Sequence, residues 1–301
     1  MEDVGDIKVI GCKRDDCPIS SGGVCIQDFE HAEDCDQAIT QTSKAIKPKE
    51  EFRRVSPGTG LSLENLATML LDRDIPTAAV IGAGASGKTT FLAMLFHRFL
   101  RHSDGFSGYR FMDSQSFLAL NEKLHYADMR SRSTSVQMPR TSLEEEPVFH
   151  FKTKDKSDQS YECLWIDIPG EAMKQGLSKV TSAWHDYRGL ARSTHVMLFL
   201  DLEIVADRSK RGPHVEQAID TLVNSIQTNT WNGKNLLVVF SKSDAFAKKI
   251  SNEIESIKSR FLTRLGDDFK AIEFCELHSL GAEKNAEKSI AQVWQWLHAA
   301  N

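Results

Sequence analysis

The sequence predicts a three-layer αβα sandwich around a mostly parallel sheet with one antiparallel strand, preceded by a small Cys-rich N-terminal module. Three observations carry that prediction. Apolar runs of strand length alternate with longer segments whose apolar residues recur at three and four positions, the pattern of an α/β chain. A glycine-rich octapeptide, Gly82-Ala83-Gly84-Ala85-Ser86-Gly87-Lys88-Thr89, stands between one such strand and one such helix. Two later strands run into the acidic motifs Asp167-Ile168-Pro169-Gly170 and Ser241-Lys242-Ser243-Asp244.

The octapeptide reads G-x-x-x-x-G-K-T, a phosphate-binding loop (P-loop), and its flanks are those the motif requires. Thr77 to Ile81 (TAAVI) reads as a buried strand, and Thr90 to Arg101 (TFLAMLFHRFLR) as a packed helix. Small residues let successive backbone N–H groups turn toward phosphate oxygens, and the helix N-terminus adds partial positive charge. Lys88 can reach the β- and γ-phosphates and the Thr89 hydroxyl can hold Mg²⁺, so Gly82 through Thr90 are the candidate phosphate contacts. The alternative is a glycine-rich turn that binds nothing. The strand–loop–helix context and the two partner motifs weigh against it.

Composition bounds the class. Apolar residues make up 41% and charged residues 26% of the chain, ordinary for a globular protein, and 301 residues suffice for one large α/β domain plus an appendage. A net charge of −5 leaves no basic footprint for nucleic acid or an anionic membrane. No signal peptide is recognisable at the start, and no apolar run nears the ~20 residues of a membrane span. A cytoplasmic protein is the expectation.

Four of the six cysteines, Cys12, Cys17, Cys25 and Cys35, precede residue 36, with His31 among them. The segment is too short and polar for its own core. Clustered cytosolic cysteines point to zinc more than to disulfides, with free thiols in a disordered tail as the alternative. C-x4-C is a loose spacing, and whether His31 replaces one cysteine is open. Cys163 and Cys275 sit alone in apparent strands and read as buried structural residues. The domain boundaries expected are 1–36 for the leader, 37–75 for a linker plus short helix, and 76–301 for the main domain. Asp36 to Gly60 is polar, with Ser56-Pro57-Gly58 near its end, and reads as the linker. Leu63, Leu66, Met69 and Leu70 share a helical face capped by Ser62, and Pro76 ends it.

Beyond the loop-bearing helix, His102 to Arg110 reads as loop, Asp113 to Tyr126 as helix and Met129 to Glu146 as an exposed loop. Val148 to Lys152 and Tyr161 to Ile168 read as an antiparallel strand pair turning at Asp155 to Ser160. Asp167, at the end of the second, can hold the Mg²⁺ shell. Gly170 lets the backbone come close to a γ-phosphate. Glu171 to Arg192 reads as a charged helix, His195 to Leu202 (HVMLFLDL) as a buried strand, Val215 to Thr228 as helix, and Asn235 to Phe240 as strand. In the motif that follows, the Asp244 carboxylate can accept N1–H and the 2-amino group of guanine, a donor pair adenine lacks. The Lys242 stem can lie over the base while its ammonium braces the phosphate loop. Ile254 to Leu265 and Ser289 to Ala300 read as amphipathic helices flanking a last strand, Ala271 to Cys275. Ser279 and Leu280 form the turn after it, where the Leu280 N–H could meet guanine O6.

Residues 77 to 300 resemble the translation-factor-related class of P-loop GTPases, on Gly82–Thr89, Asp167–Gly170, Ser241–Asp244 and Ser279-Leu280 in family order. The resemblance implies the P-loop NTPase fold and a loop threonine that closes on Mg²⁺ and the γ-phosphate. Thr141 fits that role, with Thr134 as fallback. More narrowly, Asp167-Ile168-Pro169-Gly170-Glu171, Arg140-Thr141-Ser142 and the cysteine-rich leader resemble a bacterial double-GTPase family of predicted conflict (phage-defence) systems. That resemblance adds weight to zinc in the leader. The chain departs from the class pattern at Ser241, where Asn or Thr is usual, and at Glu171, where many members carry a water-orienting Gln. It also has an extra helix before Thr141. Arg130, Arg132 and Arg140 are candidates for a charge-neutralising arginine in cis.

The function expected is Mg²⁺-dependent binding of GTP and its hydrolysis to GDP and phosphate by a conformational switch, with Lys88, Thr141, Gly170 and Glu171 at the reaction. A protein effector or partner GTPase would read the switch. The alternatives are an ATPase of the same loop class and a non-hydrolysing nucleotide-bound scaffold. A zinc-knuckle contact to nucleic acid ranks below both, because the leader lacks aromatic and basic interleaving.

Overall fold

The computed structural model describes residues 7–21, 23, 24, 26, 34–42, 58, 60, 61, 63–71, 73–127, 148–170, 192–227, 230–246, 249–278 and 284–299. The chain forms two compact units, Met1–Val55 and Ser56–Asn301.

In the first unit, β1 (Ile7–Cys12) pairs antiparallel with β2 (Ala38–Thr42), setting Cys12 opposite Ala38, and a 3₁₀ turn at Pro18–Ser21 lies between them in sequence. Residues 38–42, expected as linker, are thus a strand of this unit. Cys17 and Cys35 are buried beside half-buried Cys12, Ile19 and Ala38, which is the unit's small core.

In the second unit, seven strands form one sheet: β3 (Thr77–Gly82), β4 (Tyr109–Asp113), β5 (Val148–Asp155), β6 (Ser160–Asp167), β7 (His195–Asp201), β8 (Asn235–Ser241) and β9 (Ala271–Leu277). Their order is β4-β5-β6-β3-β7-β8-β9. Only β5 opposes the rest, since it pairs antiparallel with both β4 and β6 while every other pairing is parallel. This is the predicted sandwich with its one antiparallel strand. The β5–β6 turn is held by Asp155, whose Oδ1 accepts the N–H groups of Ser157 at 2.7 Å and Gln159 at 3.0 Å.

The helices are α1 (Leu63–Met69), α2 (Lys88–Arg101), α3 (Phe117–Ala127), α4 (Leu202–Ala206), α5 (Arg208–Gln227), α6 (Ser243–Phe246), α7 (Ser251–Leu265) and α8 (Lys284–Ala299), numbered among the described residues. Strand alternation divides the core between the two faces of the sheet. Ala79, Ile81, Val196, Leu198, Val238 and Phe240 pack on one side with α1, α4, α5 and α7. Ala78, Val80, Met197, Phe199, Leu237 and Val239 pack on the other with α2, α3 and α8. Trp165 and Trp294 are fully buried there, with Trp294 edge-on to Phe99 at 4.7 Å. Cys163 and Cys275 are buried in β6 and β9, as their isolation in apolar runs predicted.

Three elements depart from expectation. β4 starts inside the stretch read as loop and occupies the sheet edge, with only partial burial. α4 was not expected. α5 begins seven residues before Val215, because Asp207 caps it through the Ser209 N–H at 2.9 Å and the helix runs on through Pro213. Pro213 is the sixth residue of the helix, past the first turn, so the helix forgoes the bond that an N–H there would give to the Ser209 carbonyl.

Candidate nucleotide-binding site

β3 leaves the sheet at Gly82, between β6 on one side and β7 on the other. That switch point, outside the carboxyl ends of the strands, is where open α/β sheets bind ligands. Gly87 caps α2 at φ 91° with no side-chain capping bond, which leaves the first N–H groups to an incoming anion. Lys88 is buried and curls back over the loop, donating from Nζ to Gly82 O at 2.9 Å and Ala83 O at 3.0 Å. These bonds hold the loop in a ring with the ammonium at its mouth.

β6 runs beside β3 in register Val80–Asp167, which delivers Asp167 to the loop. Thr89 Oγ1 donates to Asp167 Oδ2 at 2.5 Å. Asp167 is 1% exposed, and its Oδ1 has no hydrogen-bond partner among the described residues. Burial pushes its pKa up, while the Lys88 ammonium and the Thr89 hydroxyl pull the other way. A buried carboxylate oxygen without a partner is costly. A divalent cation beside Thr89 would satisfy it, so this pair fits Mg²⁺.

One residue later the chain is pinned. Ile168 N–H donates to Val80 O at 3.0 Å, and Gly170 then passes directly over the loop. A Cβ on Gly170 would lie 2.7 Å from both Ala83 C and Gly84 Cα, and closer still to Gly84 N. Only glycine fits this approach.

The base side forms where β7 and β8 end in register, Asp201 opposite Ser241. Ser241 is buried and donates to Leu200 O at 3.2 Å. Lys242 turns through φ 59° and leads into α6, whose first turn carries exposed Asp244. The Lys242 ammonium, expected on the phosphate loop, instead donates to Asp201 Oδ2 at 2.7 Å and Glu203 Oε2 at 2.8 Å. Burial would lower its pKa, but these two bonds outweigh burial and raise it.

Asp201, His214 and Gln217 were missed by the sequence reading. Asp201 carries the signal that identified Asp167, an acid closing a buried strand. His214 and Gln217, at i and i+3 on α5, face a small cleft also lined by Ala83, Gly170 and Leu198. His214 Nε2 has no partner among the described residues, and burial lowers the histidine's pKa against an opposing pull from Asp201.

Thr134, Thr141, Glu171, Ser279, Leu280, Arg130, Arg132 and Arg140 lie outside the described residues, as do Cys25 and His31. In the leader, a backbone hydrogen bond at Arg14 lowers the Cys12 thiol pKa, but partial burial and the nearby Cys17 and Cys35 sulfurs outweigh it. Among the described residues, no group of three or more His, Cys, Asp or Glu side chains is arranged to hold a metal. The zinc expectation therefore finds no support there. No described helix is long and apolar enough to cross a membrane.

The family model Double-GTPase 2 matches residues 77–297, well over half of the chain. Among curated proteins nothing matches. Solved structures that are similar include the signal recognition particle receptor SRb-GTP/SRX complex from Chaetomium thermophilum, at 15% identity over 74% of this chain and 99% of that one, TM-score 0.44. Nucleolar GTP-binding protein 1 from Plasmodium falciparum is 13% identical over 77% of this chain and 90% of that one, TM-score 0.42. A bacterial selenocysteine-specific elongation factor is 10% identical over 76% of this chain and 29% of that one, TM-score 0.41.

Proposed function

The chain belongs to the Double-GTPase 2 family, and on that premise we propose that it is a Mg²⁺-dependent GTPase that works as a conformational switch. The observation that carries this is the orphaned Oδ1 of buried Asp167, whose other oxygen is tied to Thr89, with Lys88 held at the mouth of the same loop. Thr89 and Asp167 would hold the cation, with Thr141 closing over it. When bound, Mg²⁺ supplies Lewis-acid neutralisation of the β- and γ-phosphate oxygens.

The chain's own groups do the rest. The α2 N-terminus and the loop N–H groups cradle the phosphates. Lys88 moves from the Gly82 and Ala83 carbonyls to the β- and γ-oxygens. Gly170 presents its N–H to the γ-phosphate, and Glu171 orients the water. Asp244 selects guanine, with Lys242 along the base and Leu280 N–H at its O6. Loss of the γ-phosphate then frees the segments around Thr141 and Gly170, and a protein effector or partner GTPase, in a bacterial defence system, reads the change.

The test is a titration of the purified chain with fluorescent GTP, competed by GDP and by ATP, with and without Mg²⁺, followed by phosphate release. Guanine-only competition that needs Mg²⁺, with release, is the expected result. Equal competition by ATP would remove the role given to Asp244.

A further inference from the structure

We infer that Asp201, at the carboxyl end of β7, is a positioning residue for purine recognition, fixing Lys242 in place before a nucleotide arrives. The inference deepens the guanine-site proposal and rests on it.

Three independent features converge on Asp201. The β7–β8 register sets it opposite Ser241, the residue that opens the base motif. Its Oδ2 takes the Lys242 ammonium at 2.7 Å. Its Oδ1 accepts the Glu203 N–H at 2.9 Å and so caps α4. One carboxylate therefore joins a strand end, a helix start and the base loop. Lys242 needs such an anchor, because its backbone sits at φ 59°, where a residue with a long side chain is uncommon. Ser241 has no side-chain amide to brace the loop, and its hydroxyl is spent on Leu200 O.

Of the two acids that hold the ammonium, Asp201 dominates. Its side chain is 4% exposed, while that of Glu203 is 63% exposed. An exposed ion pair is weakened by water and salt, whereas removing one partner of a buried pair has a large effect. The lysine stem, tethered at its tip, is preorganised as a surface for the base, and the ordering is complete before binding. The perturbation acts on the base and not on the phosphates, so it should affect GDP and GTP alike.

The experiment compares wild type, Asp201→Asn and Glu203→Gln. The readouts are GDP and GTP dissociation rates from stopped-flow fluorescence, the guanine-over-adenine affinity ratio, and phosphate release at saturating GTP. For Asp201→Asn we expect GDP and GTP release to accelerate by the same factor, about tenfold or more, as for a lost charge-assisted hydrogen bond. We expect the purine ratio to fall. Glu203→Gln should change release by less than about threefold. If Asp201→Asn does not fold, Asp201→Ser carries the same test, because serine also caps a helix while removing the carboxylate. An Asp201 variant that only lowers the melting temperature, leaving purine ratio and release rates at wild-type values, overturns the inference. If the wild type binds adenine and guanine nucleotides equally, the parent proposal fails, and this one with it. If the wild type prefers guanine and the Asp201 variants do so equally, only this inference fails.

Discussion

Replacing Gly170 by alanine tests the core of the site with one carbon atom. The new Cβ would meet the Ala83–Gly84 backbone, 2.7 Å from Ala83 C and Gly84 Cα and closer to Gly84 N. Backbone in a loop pinned by Lys88 cannot rotate away. Ordinary carbon contact needs about 3.5 Å, so the chain after β6 must retreat from the loop by roughly an ångström. Ile168 stays bonded to Val80, so the retreat falls on the residues that would face the γ-phosphate. A displacement of that size costs about 100-fold in a positioned reaction. Gly170→Ala should therefore bind GDP as wild type does, lose its preference for GTP, and release phosphate about 100-fold more slowly. Titrations with both labelled nucleotides and a single-turnover phosphate assay measure this, with circular dichroism to confirm the fold. Wild-type phosphate release from Gly170→Ala would refute the contact-based reasoning, because the extra atom would then have found room that the structure does not show.

Other consequences can be checked alongside it. Lys88→Ala should abolish measurable GTP binding with the fold retained by circular dichroism, because it removes the ammonium that the Gly82 and Ala83 carbonyls hold at the mouth of the loop. Asp244→Asn should weaken guanine binding and favour xanthine nucleotides, whose 2-oxo group accepts where the guanine amine donates; competition by xanthosine triphosphate measures it. Chelation of Mg²⁺ with EDTA should weaken GTP binding, and Asp167→Asn should make binding insensitive to the chelator. Acid should destabilise the chain: burial depresses His195 to about 4, aided by His298 and Lys270, and burial depresses His298 to about 4. Both pKa values lie below that of an unfolded histidine, so the unfolded chain takes up protons first. Their stabilising effect is full above pH 6.5 and is lost as the pH falls toward 4, by about 2 kcal/mol for His195 at pH 5. Urea midpoints at pH 7 and pH 5 give the comparison.

The parts of the fold visible in the sequence are those whose burial is complete. β3, β7 and β8 are buried on both sides, so their apolar runs are continuous, and each was located within a residue or two. β4 was not visible because it lies at the sheet edge with only partial burial, and Tyr-Arg-Phe-Met-Asp shows no clean alternation. The start of α5 was hidden by its polar first turns and by Pro213, which reads as a stop when the capping of Asp207 cannot be seen. In the site, Lys88, Thr89, Asp167 and Gly170 were legible because their spacing around strand ends is itself the signal. Asp201, His214 and Gln217 were not, since their roles come from register between strands and from which helix face meets the loop. A sequence cannot show that two residues forty apart, Asp201 and Ser241, stand side by side.

The burial of Cys163 and Cys275 has a practical consequence for anyone who wants to watch this protein move. Both sulfurs lie inside the sheet sandwich, and burial raises both thiol pKa values, that of Cys275 to about 12. A maleimide reacts with exposed thiolate, so at neutral pH the unit Ser56–Asn301 is chemically silent while folded. A single cysteine introduced on its surface would then be the only attachment point for a fluorophore or spin label in that unit, with only the leader's cysteines left to replace. Sudden labelling of Cys163 or Cys275 would in turn be a direct clock for unfolding.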